Sequence, residues 1–379
     1  WLYVPGADLG SAVLADIDLG ISSVAALDEL LRATTRQGKT ARIHLKVDTG
    51  LARNGAYGSD WTALVAATAR AAAEGAVEVV GVFSHFAYAD APDHPTVRSQ
   101  QQTFEAAVAE LERTGIRPQV RHLANSAATL TNPSAAYDMV RPGLAVYGLS
   151  PIPDLGTPAD YGLREAMRLI SHVALVKDVP AGQGVSYGHT YVTDRATRLA
   201  LVPLGYADGL PRNASNAGPM LHRGVRQTIA GRVCMDQVVL DLGPDADVAP
   251  GDPVVLFGRG EDGEPTAQDW ATATGTISYE IVTRVSSRLP RVAPDPHVLA
   301  EERGLEPAVE ADDGRAFEQD RMLDFGALDV AARANRGVRP DVAVGEHGTG
   351  ADDCRPAHRG PLELRTGLDD HASVDLRVG

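Results

Sequence analysis

The chain has 379 residues, with 35 Lys plus Arg against 50 Asp plus Glu, a net charge of -15. That balance excludes the basic footprint that nucleic acid or an anionic membrane surface requires, and no apolar run approaches the roughly 20 residues of a membrane-spanning helix. Two cysteines, Cys234 and Cys354, are too few for a disulfide framework and too far apart for a metal knuckle, so no metal site is read. Lys39, Lys46 and Lys177 are the only lysines. No signal segment opens the chain, which reads as cytoplasmic. It starts at Trp1 and not at Met, which reads as the start of a fragment.

Up to about residue 150, short apolar strands alternate with helical patterns. The strand candidates are Leu2 to Val4, Ile17 to Ile21, Ala41 to Val47, Val77 to Ser84, Val120 to Leu123 and Asp138 to Arg141. Between them, Asp60 to Ala73 and Thr103 to Arg113 carry apolar residues at helical spacing. Repeated strand-helix units imply a parallel sheet covered by helices. Six strands fall short of the eight of a closed barrel. An open doubly wound sheet is the alternative, but no Gly-rich dinucleotide turn is present. The reading is therefore an α/β TIM-type barrel, truncated to about six of eight strands.

Pro151, Pro153, Gly156 and Pro158 form a linker-like stretch. Beyond it, β-rich runs punctuated by glycine follow: Ile170 to Val176, Arg198 to Pro203, Arg226 to Val233, Val238 to Leu242 and Pro253 to Gly258. Residues 151–292 thus read as an all-β domain, sandwich or barrel. Residues 293–379 hold 19 acidic residues against 10 arginines and no lysine, and are expected to form a disordered acidic tail.

Chemistry-bearing residues cluster at the ends of the barrel strands. His44-Leu-Lys46-Val-Asp48-Thr49-Gly50-Leu-Ala-Arg53 is a strand running into a loop at its C-terminal end, the active-site face of such barrels; taken alone it is equally a strand with a charged rim. The runs His122-Leu-Ala-Asn125-Ser126 and Val140-Arg141-Pro-Gly143-Leu144-Ala-Val-Tyr147-Gly148 follow the last two strands, where phosphate sites often form from hydroxyl and backbone N–H donors. A Gly-Pro turn without a ligand is the alternative there. If phosphate does bind, Arg141 just before the turn would reach the ring of a phosphorylated cofactor. In the β domain, Val185-Ser186-Tyr187-Gly188, Gly205-Tyr206-Ala-Asp208-Gly209, Gly231-Arg-Val-Cys234-Met235-Asp236-Gln237 and Thr276-Ile-Ser-Tyr279-Glu280 stand out, although an isolated tyrosine is usually a packing residue.

In this order, HLKVDTG, ANSAA, VRPGLAVYG, VSYG, GYADG, GRVCMDQ and TISYE resemble alanine racemase, the fold-type III family that uses pyridoxal 5'-phosphate, from about Trp1 to Val292. The resemblance implies a cofactor-binding barrel followed by a β domain, interconversion of L- and D-alanine for peptidoglycan, and a head-to-tail homodimer with shared active sites. Tyr187 corresponds to the proton-transfer tyrosine that acts on L-alanine in the partner's barrel. Arg141 corresponds to the arginine facing the pyridine nitrogen, supported by His85. Ser126, Gly143, Leu144 and Tyr279 correspond to the phosphate-binding positions. Arg53 and the backbone N–H of Met235 correspond to the groups that hold the substrate carboxylate, with Lys46, often carbamylated in the family, steadying Arg53 and Asp236 in support. Tyr206 would narrow the entrance for a small amino acid. A racemase of another small amino acid such as serine, and a non-catalytic remnant that binds the cofactor, are the alternatives.

The family also carries a lysine at the end of the first barrel strand, in a run like VKANAYGHG, that forms the Schiff base and serves as the base on the D-alanine side. No such run occurs here. Lys46 already has a counterpart, Lys39 lies in a polar loop and Lys177 in a β-domain strand. The expectation is that a segment of roughly 60 to 90 residues, at about 30 per strand-helix unit, is missing and that the chain as written is inactive. The lysine-free tail also departs from the family.

Overall fold

The computed structural model describes residues 1–292; the acidic tail of residues 293–379 lies outside the described residues. The first half is built on four strands each followed by a helix. After the short helix α1 (Leu9–Leu14) come β1 (Leu19–Ile21), α2 (Val24–Gln37), β2 (Ala41–Lys46), α3 (Ser59–Ala73), β3 (Val77–Phe83), α4 (Pro95–Glu112), β4 (Val120–His122) and α5 (Ser126–Thr131). The four strands pair in parallel in the order β1-β2-β3-β4. β3 is buried along almost its whole length, as a parallel strand covered on both faces must be.

Local chemistry sets the helix ends. Ser23 Oγ accepts from Ala26 N at the start of α2, and Gly38 closes it at φ 61°. Pro95 occupies the first turn of α4, where its missing N–H costs nothing. The buried side of α4 is Val97, Gln100, Phe104, Ala107, Val108 and Leu111, at the three- and four-residue spacing of one helix face.

Four of the six expected strands therefore form. Leu2 and Val4 are exposed (76% and 72%), and it is the Tyr3 hydroxyl, not a backbone ladder, that donates to the Gly20 carbonyl. The segment Asp138 to Arg141 makes a single bridge, from Arg141 to Asn125. There the Asp138 carboxylate accepts from the backbone N–H of Arg121, the donor a ladder would use, as well as from its guanidinium.

The second half contains β5 (Leu169–His172), β6 (Leu175–Val179), β7 (Gly184–Val185), β8 (Tyr191–Val192), β9 (Thr197–Val202), β10 (Pro219–His222), β11 (Val225–Thr228), β12 (Val238–Gly243) and β13 (Pro253–Phe257). They form antiparallel sheets in the orders β11-β10-β13-β5, β12-β9-β6 and β7-β8. The expected single strand Ile170 to Val176 is two, because the chain changes sheets between them. Val173 N donates to Asp252 O in the first sheet's neighbourhood, and Ala174 N to Leu201 O in the second. β10 went unpredicted: it joins β11 through Arg223 and Gly224, both at positive φ, a tight hairpin without the usual Asn-Gly signature.

Two helices, α6 (Ala267–Thr274) and α7 (Ser278–Arg284), add to the all-β expectation. A capping box between Thr266 and Asp269 starts α6. It delivers Trp270, 1% exposed, into the second core, where its indole N–H donates to Leu256 O at 2.6 Å. One apolar core gathers residues from Leu9 to Ile152 and another gathers residues from Leu144 to Val282. No helix of the described residues is long and apolar enough to cross a membrane.

Gly148 sits where the two cores meet, at φ 75°, and a Cβ there would stand 1.5 Å from the Arg164 carbonyl oxygen. Gly148→Ala is expected to lower unfolding stability by about 3 kcal/mol or more, read from urea denaturation midpoints.

Candidate active site

The site begins where β2 ends. His44 and Lys46 alternate onto one face of the strand, and Lys46 is 5% exposed. Burial, with Arg53 and Arg141 nearby, lowers the Lys46 pKa. The chain then turns tightly: one carboxylate oxygen of Asp48 accepts from the backbone N–H of Gly50, Leu51 and Ala52. Gly55, at φ 128°, brings the loop back so closely that a Cβ would meet Asp48 N at 2.6 Å. This places the exposed Arg53 beside a cavity of about 370 Å³.

After β3, Ser84 and His85 are pinned from behind by buried Gln100. Its amide donates to Thr49 Oγ1 and His85 O and accepts from Ala87 N, and Thr49 Oγ1 lies 2.9 Å from Ser84 Oγ. After β4, Asn125 caps α5 by accepting from Ala128 N. Buried Ser126 then accepts from Gly143 N at 2.7 Å and Ala145 N at 3.4 Å, which leaves its own hydroxyl proton to donate. An added Cβ on Gly143 would meet nothing nearer than Ser126 Oγ at 4.0 Å, so the space over this backbone is open.

Arg141 is at the centre. Its Nη1 lies 3.0 Å from His122 Nδ1, and its Nη2 donates to Ser84 O at 2.7 Å and Leu123 O at 3.3 Å and lies 3.3 Å from His85 Nδ1. Its Nε is buried with no hydrogen-bond partner. Burial lowers the guanidinium to about 10, so it stays a cation at neutral pH. The same burial, with Arg141 nearby, pushes His85 down to about 4 and His122 to about 3. Phe83 stacks on His122 at 4.8 Å and on Trp1 at 5.3 Å, and Lys46 Nζ and Arg141 Cζ each lie within 5.4 Å of the Trp1 ring centroid.

The sequence-predicted residues thus fall into separate groups. Lys46, His85, Ser126, Arg141, Gly143 and Leu144 line one end of the parallel sheet, with Arg53 beside them. A second group belongs to the β domain. Tyr187 follows Ser186, whose φ is 61°, and its side chain is 70% exposed. Ser186 Oγ donates to Arg232 O and lies 3.4 Å from Cys234 Sγ, while Tyr206 N donates to Cys234 O and Ala207 N to Met235 O. Gly205 allows that approach, since a Cβ would stand 2.4 Å from the Cys234 and Met235 carbonyl oxygens. The run Cys234-Met235-Asp236 therefore holds Tyr187 and Tyr206 in one loop cluster. Tyr279 is in the first turn of α7 and shares no hydrogen bond with either group among the described residues. No hydrogen bond joins the barrel group to the β-domain group among the described residues.

Sequence reasoning assigned nothing to His44, His122, Gln100 or Asp18. The two histidines lay inside the quoted motifs, and the shared strand face of His44 and Lys46 was the available signal. Gln100 is inside a helix and Asp18 outside every motif. A larger cavity, about 760 Å³, lies away from this chemistry, between residues 149–165 and the β domain. It holds buried Glu165, raised to about 7 by burial and by Asp269.

The family model for the alanine racemase N-terminal domain matches residues 1–151 and that for the C-terminal domain matches residues 166–293. The alanine racemase of Salinispora tropica is 61% identical over 292 residues, which is 77% of this chain and 77% of that protein. That of Frankia casuarinae is 58% identical over 291 residues, 77% of this chain and 76% of that protein. The chain belongs to the alanine racemase family. Among solved structures, alanine racemase from a D-cycloserine-producing Streptomyces lavendulae superposes with a TM-score of 0.76 at 55% identity, covering 78% of each chain. The Bacillus anthracis enzyme with bound L-Ala-P gives 0.70 at 34% identity, covering 76% of this chain and 74% of that one. Alanine racemases are isomerases that use pyridoxal 5'-phosphate, on an α/β barrel followed by a β domain.

Unfolded His122 titrates at its ordinary value of 6.5 and the folded residue at about 3, so between those values the unfolded chain binds the extra proton. Stability is therefore complete above about pH 6.5 and falls as acid enters that window, by up to ~1.4 kcal/mol per pH unit from this one group. His122→Gln is expected to flatten that slope in thermal unfolding scans between about pH 4 and pH 7.

Proposed function

We propose that this protein performs the family's reaction, interconversion of L- and D-alanine, at the barrel site centred on Arg141. The observation that carries the reading is the buried Arg141 Nε–H without a partner, beside a Ser126 hydroxyl free to donate and an open space over Gly143. A buried donor of this kind calls for an acceptor. Pyridoxal phosphate, when bound, supplies the conjugated electron sink that acidifies an amino acid's α-hydrogen.

Ser126, the backbone around Gly143 and Leu144, and Tyr279 would hold the phosphate. Arg141 would face the ring nitrogen. As a group with donors only, still charged at neutral pH, it would donate to that nitrogen and leave it an unprotonated acceptor. His85 and His122, neutral at physiological pH, support Arg141 without adding charge. Arg53 and the Met235 N–H would hold the substrate carboxylate, Asp236 would support that loop, and Tyr206 beside it would restrict the entrance to a small side chain. Lys46, its amine favoured toward the neutral form, suits addition of its nitrogen to carbon dioxide with loss of a proton to water, which would turn a repelling group near Arg53 into a partner anion.

Tyr187 would deliver or take the proton on the L-alanine side. Its exposure fits a tyrosine that serves the barrel of a second copy, hence a homodimer with shared sites. Of the three lysines, Lys39 pairs with Asp16 and donates to Leu14 O, Lys177 lies in β6, and Lys46 flanks Arg141 and Arg53. We assign none of the three as the cofactor-bearing base, so the residues described would hold the cofactor without a covalent bond.

Calorimetry with phosphopyridoxyl-L-alanine, the reduced adduct of cofactor and substrate, tests the site without need of a lysine. The adduct is expected to bind, and Arg141→Ala or Ser126→Ala to weaken it at least about tenfold, one charge-assisted hydrogen bond's worth. Phosphopyridoxyl-phenylalanine should bind more weakly still. Equal, negligible binding of both adducts would remove the reading. Borohydride reduction with the cofactor should leave Lys39, Lys46 and Lys177 unmodified by mass spectrometry, and racemisation by this chain alone would overturn the lysine assignment.

A further inference from the structure

A line of polar side chains crosses the parallel sheet at right angles to its strands. Asp18 stands just before β1, His44 on β2, His122 at the end of β4, and Arg141 beyond it. His44 Nε2 lies 3.2 Å from Asp18 Oδ2, His44 Nδ1 lies 2.9 Å from His122 Nε2, and His122 Nδ1 lies 3.0 Å from Arg141 Nη1. β3 intervenes between the two histidines, and its residue opposite His44 is Gly81. A Cβ on Gly81 would stand 2.3 Å from His44 Nδ1, so the imidazoles meet only because that side chain is missing. Phe83, two residues on, stacks flat on His122 and presents its edge to His44.

We propose that Asp18 and His44 are positioning residues for Arg141, the outer members of a hydrogen-bonded series that admits one arrangement of its protons. The reasoning rests on what each end can do. A guanidinium has donors only and a carboxylate has acceptors only, while a neutral imidazole has one of each. Arg141 Nη1–H donates to His122 Nδ1, so His122 carries its proton on Nε2 and donates to His44 Nδ1. His44 in turn carries its proton on Nε2 and donates to Asp18. Protonating either ring would set two donors against each other, and burial pushes the same way, lowering both histidines. Arg42, with Nε 2.6 Å from Asp18 Oδ1, holds the carboxylate in place and ionised. Each member thus aims the next, and the last aims the guanidinium that keeps Nε free of protein partners.

The functional part of this inference rests on the reading of Arg141 as the cofactor-facing arginine; the proton arrangement does not. Nitrogen-15 spectra of the full chain labelled at histidine, without added ligand at neutral pH, read the arrangement directly. His44→Phe and His122→Phe assign the signals by removing one pair each. Both rings are expected as Nε2–H tautomers with unprotonated Nδ1. Asp18→Ala leaves the Arg141 end to set both tautomers but removes the acceptor of His44 Nε2–H, so the His44 Nε2 signal should shift, while Asp18→Asn, which keeps an acceptor oxygen, should preserve it. An Nδ1–H tautomer or an imidazolium at either ring in the unaltered chain overturns the series, and that observation needs no variant to fold. Unchanged signals in a folded Asp18→Ala also overturn it. Asp18→Ala should further weaken phosphopyridoxyl-L-alanine by about three- to tenfold, less than Arg141→Ala does. Loss of adduct binding in the unaltered chain with the tautomers intact would sink the functional reading and leave the series standing.

Discussion

The architecture of the barrel half follows from placing one cation where water cannot reach it. Among the described residues Arg141 has no carboxylate beside it; its acceptors are the carbonyls of Ser84 and Leu123 and the Nδ1 atoms of two histidines. A buried charge is costly unless its donors are met. Meeting them fixes the ends of β3 and β4 relative to each other, because each supplies a carbonyl and a ring. It also fixes the charge state of the surroundings, since a cation at this point makes every neighbouring imidazole harder to protonate. The site is thereby basic in charge and rich in neutral acceptors, an arrangement suited to an anionic, ring-bearing ligand.

Around that point the structure spends buried polar groups where only apolar packing might be expected. Gln100 emerges from the inner face of α4 between apolar neighbours and is satisfied by Thr49 and by the backbone of His85 and Ala87. A buried amide with its capacity used specifies one conformation, and a half-satisfied one would be worse than leucine. The loops after β2 and β3 are therefore held to each other through α4, the helix that follows β3 in the chain.

Much of this was legible in the residues, and the remainder failed for identifiable reasons. The apolar runs that became β3 and β13 were readable because burial on both faces leaves little choice of residue type. Where two expected strands did not form, side chains meet backbone groups: Asp138 occupies Arg121's backbone donor, and Tyr3 reaches Gly20 by its hydroxyl. β10 hid behind an Arg-Gly hairpin. The clustered motifs gave Arg141, Ser126 and Lys46 their neighbourhood. Asp18, Gln100 and Gly81 carry no local signature, since their importance comes from what other strands and helices set opposite them. Tyr187 was legible as a motif, but its work would be done on a surface outside its own chain.

The change of sheets at Val173 and Ala174 has a mechanical meaning. Two consecutive peptide groups are anchored to different sheets, one to the Asp252 carbonyl and the next to that of Leu201. A slide of one sheet over the other would have to break a main-chain bond at this corner, so shear within the β domain is resisted at its first turn.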